Sequence, residues 1–221
     1  MKKLFFLTLL LILFSVALPA FGQAQTTDDH WKSFVAVGPQ LGTTTASGPF
    51  GSAETVAGGF AQGAIGFRLA NLEFSGRGLM SLENGLRFFP QATDAAFNAA
   101  PSMRMFIPLG GSWDFLVDGG VDMQRAESAT IINPIMTFGA RHRSGNGGTQ
   151  QFTASYLFDD MNDSAPPQFF RGYRGSAEIL KPFSDRLGVL IGLDVDRQAQ
   201  GLLLAAGPRT QAKLRIGLAF K

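Results

Sequence analysis

The chain has 221 residues, a length that suits one domain or two small ones. Charged residues make up only 16% of it, below the roughly 25% of an ordinary soluble domain. Glycine and phenylalanine are frequent, with 27 and 21 residues, and cysteine is absent. Without cysteine the chain has no disulfide scaffold, no thiolate metal site and no thiol nucleophile. This composition argues against a typical cytosolic enzyme.

Residues 1–22 are predicted to be a secretory signal peptide, which leaves residues 23–221 as a single domain. The segment opens with two lysines, continues with an almost unbroken apolar stretch over residues 4–18 and ends in small residues, so cleavage is expected after Gly22 or Ala24. The apolar stretch is short for a membrane helix, which needs roughly 20 residues. The sequence therefore favours export over a retained N-terminal anchor.

The exported chain is formally neutral. Removing Lys2 and Lys3 reduces the 19 basic residues to 17, which equals the 17 acidic residues, because no acidic residue precedes Asp28. A neutral chain offers no basic patch to a nucleic acid. We therefore expect no nucleic-acid partner.

Apolar and polar residues alternate with a period of two along most of the remaining chain. This pattern indicates strands of a sheet with two unlike faces. It is clearest in residues 112–124, 186–197 and 209–220. Ten strands are predicted, near residues 31–41, 59–69, 72–89, 102–108, 112–124, 131–143, 149–159, 169–181, 186–197 and 209–220.

The connections between these strands alternate in length. The short ones are 70–71, 109–111, 144–148 and 182–185, and the long ones are 42–58, 90–101, 125–130, 160–168 and 198–208. An even number of strands, with both chain ends on the side of the short turns, is typical of a transmembrane β-barrel with brief periplasmic turns and longer external loops. The sequence therefore predicts an all-β, antiparallel, up-and-down transmembrane β-barrel of about ten strands, with eight as the alternative.

The signal peptide, the alternating strands, the missing cysteine and the closing segment Leu214–Phe220 resemble small bacterial outer-membrane β-barrel proteins of the porin-like superfamily. The resemblance covers essentially the whole exported chain. It implies the outer membrane of a diderm bacterium, contact with outer-membrane lipid and lipopolysaccharide, and recognition of the last strand, with its aromatic Phe220, by the barrel assembly machinery. It also implies no cofactor, and either a structural or surface role or a narrow passive channel.

The same alternation allows a soluble, lipocalin-like barrel with its apolar face inside. Gly111-Ser112-Trp113 matches the Gly-x-Trp motif of such proteins, although it lies in mid-chain. A soluble barrel needs a charged exterior, and the exported chain has four lysines. Aromatic residues at predicted strand ends instead suggest girdles at the membrane interfaces; they are Trp31, Phe88, Phe89, Trp113, Phe169, Phe170 and Phe220. We favour the membrane barrel.

The polar face would then line the barrel interior. Its charged residues, which we name the charge ladder, are Glu73, Arg77, Glu83, Arg87, Arg104, Asp114, Asp118, Asp122, Arg174, Glu178, Asp194, Asp196, Lys213 and Arg215. Their signs alternate between neighbouring strands, so we expect paired charges, because an isolated buried charge is costly. The alternative is a narrow, charge-lined conduit, since ten strands leave a thin water path at most.

A metal site on the charge ladder is not expected. Asp114, Asp118 and Asp122 are each four residues apart, roughly 13 Å along a strand at about 3.3 Å per residue. They therefore do not share one ion by themselves.

One segment offers candidate catalytic groups. His142 and Ser144 share strand parity, and the segment up to Asn146 faintly resembles the His-x-Ser-Asn segment of lipid A deacylases, which are outer-membrane barrels. That resemblance would make His142 the general base and Ser144 the nucleophile. A glycine separates Ser144 from Asn146, and no acid stands where the next strand would orient the imidazole. The sequence therefore predicts a protein that is not an enzyme.

Overall fold

The structure, a computed structural model, describes residues 31–46, 53–69, 72–86, 96–126, 129–158, 172–198 and 209–221. They form ten strands: β1 (Phe34–Ala46), β2 (Ala53–Leu69), β3 (Leu72–Leu86), β4 (Ala96–Gly110), β5 (Trp113–Ala126), β6 (Ala129–Arg143), β7 (Thr149–Leu157), β8 (Gly172–Pro182), β9 (Leu187–Gln198) and β10 (Arg209–Phe220). The predicted signal peptide lies outside the described residues. The part of the chain that the structure describes contains no helix with the length and hydropathy of a membrane span.

The strands form a closed antiparallel barrel. Each strand pairs with its neighbours in the chain, and β1 closes the ring by pairing with β10, as in the register Val35 to Phe220 and Leu41 to Leu214. Closure gives every strand a partner on both sides, so the sheet has no free edge. The up-and-down barrel of ten strands that the sequence predicts is confirmed.

Several strands are longer than predicted at the end of the long connections. β2 begins at Ala53, and β4 begins at Ala96. Both additions lie in segments predicted to be external loops. The added residues, 53–58 and 96–101, include five alanines and lack the apolar alternation that marks a strand, yet their backbones pair with the adjacent strands.

The opposite end of the barrel has the short turns, and we call it the turn side. Between β4 and β5 the chain reverses within two residues, Gly111 and Ser112, and Gly110 pairs with Trp113. Gly110 and Gly111 have φ angles of 109° and 58°, a backbone region that residues with a Cβ rarely adopt. The glycine pair therefore makes this tight turn possible.

The two faces of the barrel differ sharply in polarity. Large apolar side chains are exposed on the outer face of every strand except β6, whose outward residues, such as Met136 and Phe138, are half-buried. Examples of the exposed ones are Val37, Ile65, Met103, Leu193 and Leu214. The buried residues of the inner face include many polar and charged groups, among them Gln40, Asp118 and Arg215. This is the reverse of a soluble barrel, so the lipocalin-like alternative is wrong.

Candidate functional site

The lumen is the candidate functional site, because most charged side chains of the strands point into it. The described members of the charge ladder occupy inward positions in the strand register. Arg87 and the side chain of Glu83 lie outside the described residues. The members that contact one another form layers at successive depths of the barrel.

The middle layer begins on the wall formed by β4 and β5. Nε of Arg104 lies 2.7 Å from Oδ2 of Asp118, and its Nη1 donates a hydrogen bond of 2.5 Å to Oε1 of Gln151 on β7. The same amide oxygen accepts a bond of 3.2 Å from Nη1 of Arg77 on β3. One neutral side chain thus connects two guanidinium groups.

From Arg77 the contacts continue across the lumen. Its Nη2 lies 2.5 Å from Oε1 of Glu178 on β8, and the other oxygen of Glu178 accepts a bond of 2.7 Å from Gln62 on β2. Gln62 in turn accepts a bond of 2.6 Å from Arg215 on β10, whose Nη2 lies 2.8 Å from Asp194 on β9.

We name these eight residues the central network. They are Asp118, Arg104, Gln151, Arg77, Glu178, Gln62, Arg215 and Asp194, and each comes from a different strand. Because β3 and β8 are five places apart in a ring of ten, the Arg77–Glu178 pair spans the lumen from one wall to the other. The network therefore connects opposite walls of the barrel and occupies the middle of the lumen.

Glu178 shows where pairing expected from sequence differs from the structure. The sequence suggests that it and Arg174 face acidic residues of β9, with charges alternating between neighbouring strands. Glu178 instead pairs with Arg77 on the opposite wall, whereas Arg174 does contact Asp196 of β9, at 3.6 Å, in addition to Asp122 of β5 at 3.1 Å. Pairs between neighbouring strands do form, as between Arg104 and Asp118, but long side chains such as those of Arg77 and Glu178 also reach partners across the lumen.

A second charged layer lies nearer the turn side and centres on Arg141. Its guanidinium bonds to both carboxylate oxygens of Glu73, lies 2.7 Å from Asp114 and stacks at 3.5 Å over the ring of Phe106. Arg143 approaches the same Asp114 at 3.2 Å. Neither arginine belongs to the charge ladder predicted from the sequence, although Arg141 shares strand parity with Asn133 and Thr137, which are inward residues of β6.

The N-terminal segment before β1 closes the turn side. We name residues 31–33 the strap. The backbone N–H of Trp31 donates to the carbonyl of Gly147 in the β6–β7 turn, at 3.2 Å, and Ser33 Oγ accepts a bond of 3.1 Å from Gly66 of β2. Since β1 and β6 lie on opposite sides of the ring, the strap crosses the barrel mouth.

The sequence suggests that Trp31 belongs to an interfacial girdle. Its side chain instead lies within the barrel. It is only 5% exposed and belongs to an apolar cluster with Phe34, Leu180 and Leu190. Trp113 and Phe220, in contrast, point outward. The other aromatic residues predicted for the girdles lie outside the described residues.

Among the central network lies a cavity of about 110 Å³. Its lining includes the guanidinium-bearing residues of the network and the hydroxyl residues Ser102, Thr153, Ser155 and Ser176. At roughly 30 Å³ for each water molecule, it has room for a few of them. The lumen thus contains a small, only partly enclosed cavity beside the charged pairs of the central network.

The two candidate catalytic residues do not meet in this lumen. The ring of His142 points outward and lies 4.8 Å from that of Trp113. Ser144 Oγ lies within hydrogen-bonding distance of Asn146 Oδ1, at 2.7 Å, and of the carbonyl of Gly148, at 3.0 Å. Its single proton serves these acceptors, so the hydroxyl acts within the turn.

The three aspartates of β5 also remain separate. Asp114 contacts Arg141, Asp118 contacts Arg104 and Asp122 contacts Arg174. Within the described ranges, no three histidine or acidic side chains come together to hold a metal ion.

No protein-family model and no curated protein matches the chain. Solved structures similar to it include Neisserial surface protein A (10% identity, TM-score 0.38, 85% of this chain and 96% of that one). The translocator domain of the autotransporter NalP from Neisseria meningitidis is similar at 13% identity and TM-score 0.43, covering 86% and 88%. An outer-membrane channel from Pseudomonas putida F1 is similar at 10% identity and TM-score 0.49, covering 90% and 99%.

Proposed function

We propose that the protein is an outer-membrane barrel of a diderm bacterium, with a structural or surface role and a lumen that does not conduct ions. The observation that carries this proposal is the reversed polarity of a closed barrel, with apolar side chains outside and paired charges inside. Contact with outer-membrane lipid and lipopolysaccharide, and assembly through the last strand, belong to the same proposal.

The apolar outer face is suited to contact with the hydrocarbon of a membrane. Lipid offers no hydrogen-bond partner to the backbone, so a sheet crosses it only when closed. Most strands have 11 or more residues, which is enough for a tilted strand to cross the hydrocarbon core, for which roughly 9–11 are needed. Outward residues such as Ile191 and Leu214 would be poorly accommodated by water and well accommodated by acyl chains.

Two observations favour a closed lumen over the narrow channel. The central network crosses the middle of the barrel, and the strap with its apolar cluster fills the turn side. An ion would have to break charged hydrogen bonds within a wall of low dielectric and then pass an apolar layer. Both steps oppose passage.

The test is electrical recording from the purified protein in planar bilayers. We expect no discrete conductance steps from the wild-type barrel at either polarity. Slower gel mobility after heating would demonstrate that the recorded sample was folded. Reproducible single-channel steps from folded protein, absent from mock preparations, would show that the lumen conducts.

We further propose that the protein has no catalytic role. The hydroxyl of Ser144 bonds within its own turn, and the ring of His142 packs against Trp113, which supports this view. Release of fatty acid from lipid A by the wild type, lost on Ser144→Ala, would contradict it.

A further inference from the structure

We infer that the lumen is closed by two seals in series, the strap and the central network, and that opening both exposes a path that prefers small anions. The inference rests on the proposed function, since it assumes a membrane barrel that is closed in its resting form. It adds which residues close the barrel and which solutes the path would admit.

The turn-side seal depends on contacts at both ends of the strap. At one end Ser33 accepts a bond from Gly66, and at the other the backbone of Trp31 bonds to Gly147 across the mouth. Between them the Trp31 ring fills the lumen against Phe34, Leu180 and other apolar side chains. An apolar constriction excludes ions because none of its atoms replaces their water of hydration.

The middle seal contains one ion pair that joins opposite walls, between Arg77 and Glu178. One carboxylate binds Arg77 from β3 and Gln62 from β2, so it ties β8 to the opposite wall and to a third strand. An amide at this position would lose the charge that holds Arg77. The contact between Arg77 and residue 178 across the lumen would then no longer be ionic, while Gln62 would keep its contact with Arg215.

The charge left behind defines the solute class. With Glu178 neutralised, the network keeps three guanidinium groups, those of Arg77, Arg104 and Arg215, against two carboxylates, those of Asp118 and Asp194. Nε of Arg215 is buried without a hydrogen-bond partner within the described part of the chain. Arginine-lined constrictions favour anions, so the opened path should pass chloride in preference to potassium.

The two seals are stacked but use different residues. Arg77 lies 6.0 Å from the ring of Phe34, and Arg215 lies 5.7 Å from that of Phe60, so the apolar cluster adjoins the charged layer. The polar contacts of the strap involve Gly66 and Gly147, neither of which belongs to the network. Each seal should therefore hold when the other is opened.

The experiment compares four full-length proteins in planar bilayers under a potassium chloride gradient. They are the wild type, a strap variant (Trp31→Ala with Ser33→Ala), Glu178→Gln, and a combined variant with all three substitutions. We expect current from the combined variant alone, with a reversal potential displaced toward that of chloride. A folded but silent combined variant, a single-seal variant that conducts as well as the combined one, or cation preference would each overturn the inference. Conduction by the wild type would instead contradict the proposed function.

Chemical access gives a second measurement that does not need a current. Because the chain has no cysteine, Ser155→Cys places a single thiol in the cavity wall. A negatively charged methanethiosulfonate should modify this thiol at least about tenfold faster in the combined variant than in the otherwise wild-type protein. A tenfold ratio corresponds to a decrease of about 1.4 kcal/mol in the free energy that keeps the lumen closed. Equal rates in the two backgrounds, or faster reaction with a positively charged reagent, would overturn the inference.

Discussion

Replacing Arg141 with methionine should destabilise the barrel by about 3–5 kcal/mol, the range for removing one partner of a buried ion pair. The substitution removes the cation that holds both Glu73 and Asp114 and leaves their carboxylates buried without it. It also removes the stacking over Phe106. Urea unfolding of the protein in lipid vesicles, followed by tryptophan fluorescence, measures the change in the free energy of unfolding.

Two further variants separate charge from packing. Arg143→Met removes a more exposed guanidinium that contacts Asp114 at 3.2 Å, so it should cost clearly less than Arg141→Met. Adding Glu73→Gln to Arg141→Met should restore part of the loss, because it neutralises one of the two carboxylates that lose Arg141 as a partner. A loss below about 1 kcal/mol for Arg141→Met, the scale of an exposed pair, would show that this layer is not a buried charge cluster.

Leu193→Arg is expected to cost about 2–4 kcal/mol, the range for an arginine on the lipid face near the bilayer midplane. Leu193 lies near the middle of β9, points outward and pairs with Leu214 and Ala177. The protein is folded into lipid vesicles at increasing concentrations of urea, and the folded fraction is determined from gel mobility. The shift of this curve gives the loss in folding free energy.

Leu187→Arg is the matched control. It makes the same substitution on the same strand and the same face, but at the turn-side end of β9, where the expected cost is about 0–1 kcal/mol. Both variants replace a leucine with an arginine, so the difference between their losses of folding free energy reports the effect of depth in the membrane. Equal costs at the two positions would mean that the outer face does not contact a hydrocarbon layer.

The sequence predicts the fold well because a barrel wall is a local pattern. Alternation with period two determines which residues face the lumen, and it places Glu73, Asp118 and Arg215 there without further information. The alternating connection lengths indicate which end of the barrel has the turns, but the predicted long connection 125–130 is wrong, because β5 ends at Ala126 and β6 begins at Ala129. Strand ends at the long connections were less predictable, because residues such as Ala53 and Ala96 pair through the backbone while their side chains carry no apolar pattern.

The partners across the lumen could not be predicted from the sequence in the same way. Which carboxylate binds Arg77 depends on barrel diameter and on side-chain length, and neither is encoded in the neighbouring residues. The role of Trp31 was missed for a similar reason. An aromatic residue at a strand end suits a membrane interface, and only the folded path of the strap brings this one into the barrel.

The layers of the lumen have a common physical origin. A barrel of ten strands is too wide for apolar side chains from one wall to fill and too narrow for a wide water column. Long arginine and glutamate side chains bridge that width, and their charges are tolerated because each is paired. The strap supplies the remaining apolar volume on the turn side. Closure of the lumen thus follows from how the available space is filled.

The contact between lipid and the outer face can be measured most directly with the two tryptophans of the chain. Trp113 points outward and is 45% exposed, whereas Trp31 is 5% exposed inside the barrel. Single-tryptophan proteins, made by Trp31→Phe or Trp113→Phe, would be folded into vesicles whose lipids carry bromine high on the acyl chains. The account predicts strong quenching of Trp113 and little quenching of Trp31. Quenching of Trp31 as strong as that of Trp113, or no quenching of Trp113, would contradict it.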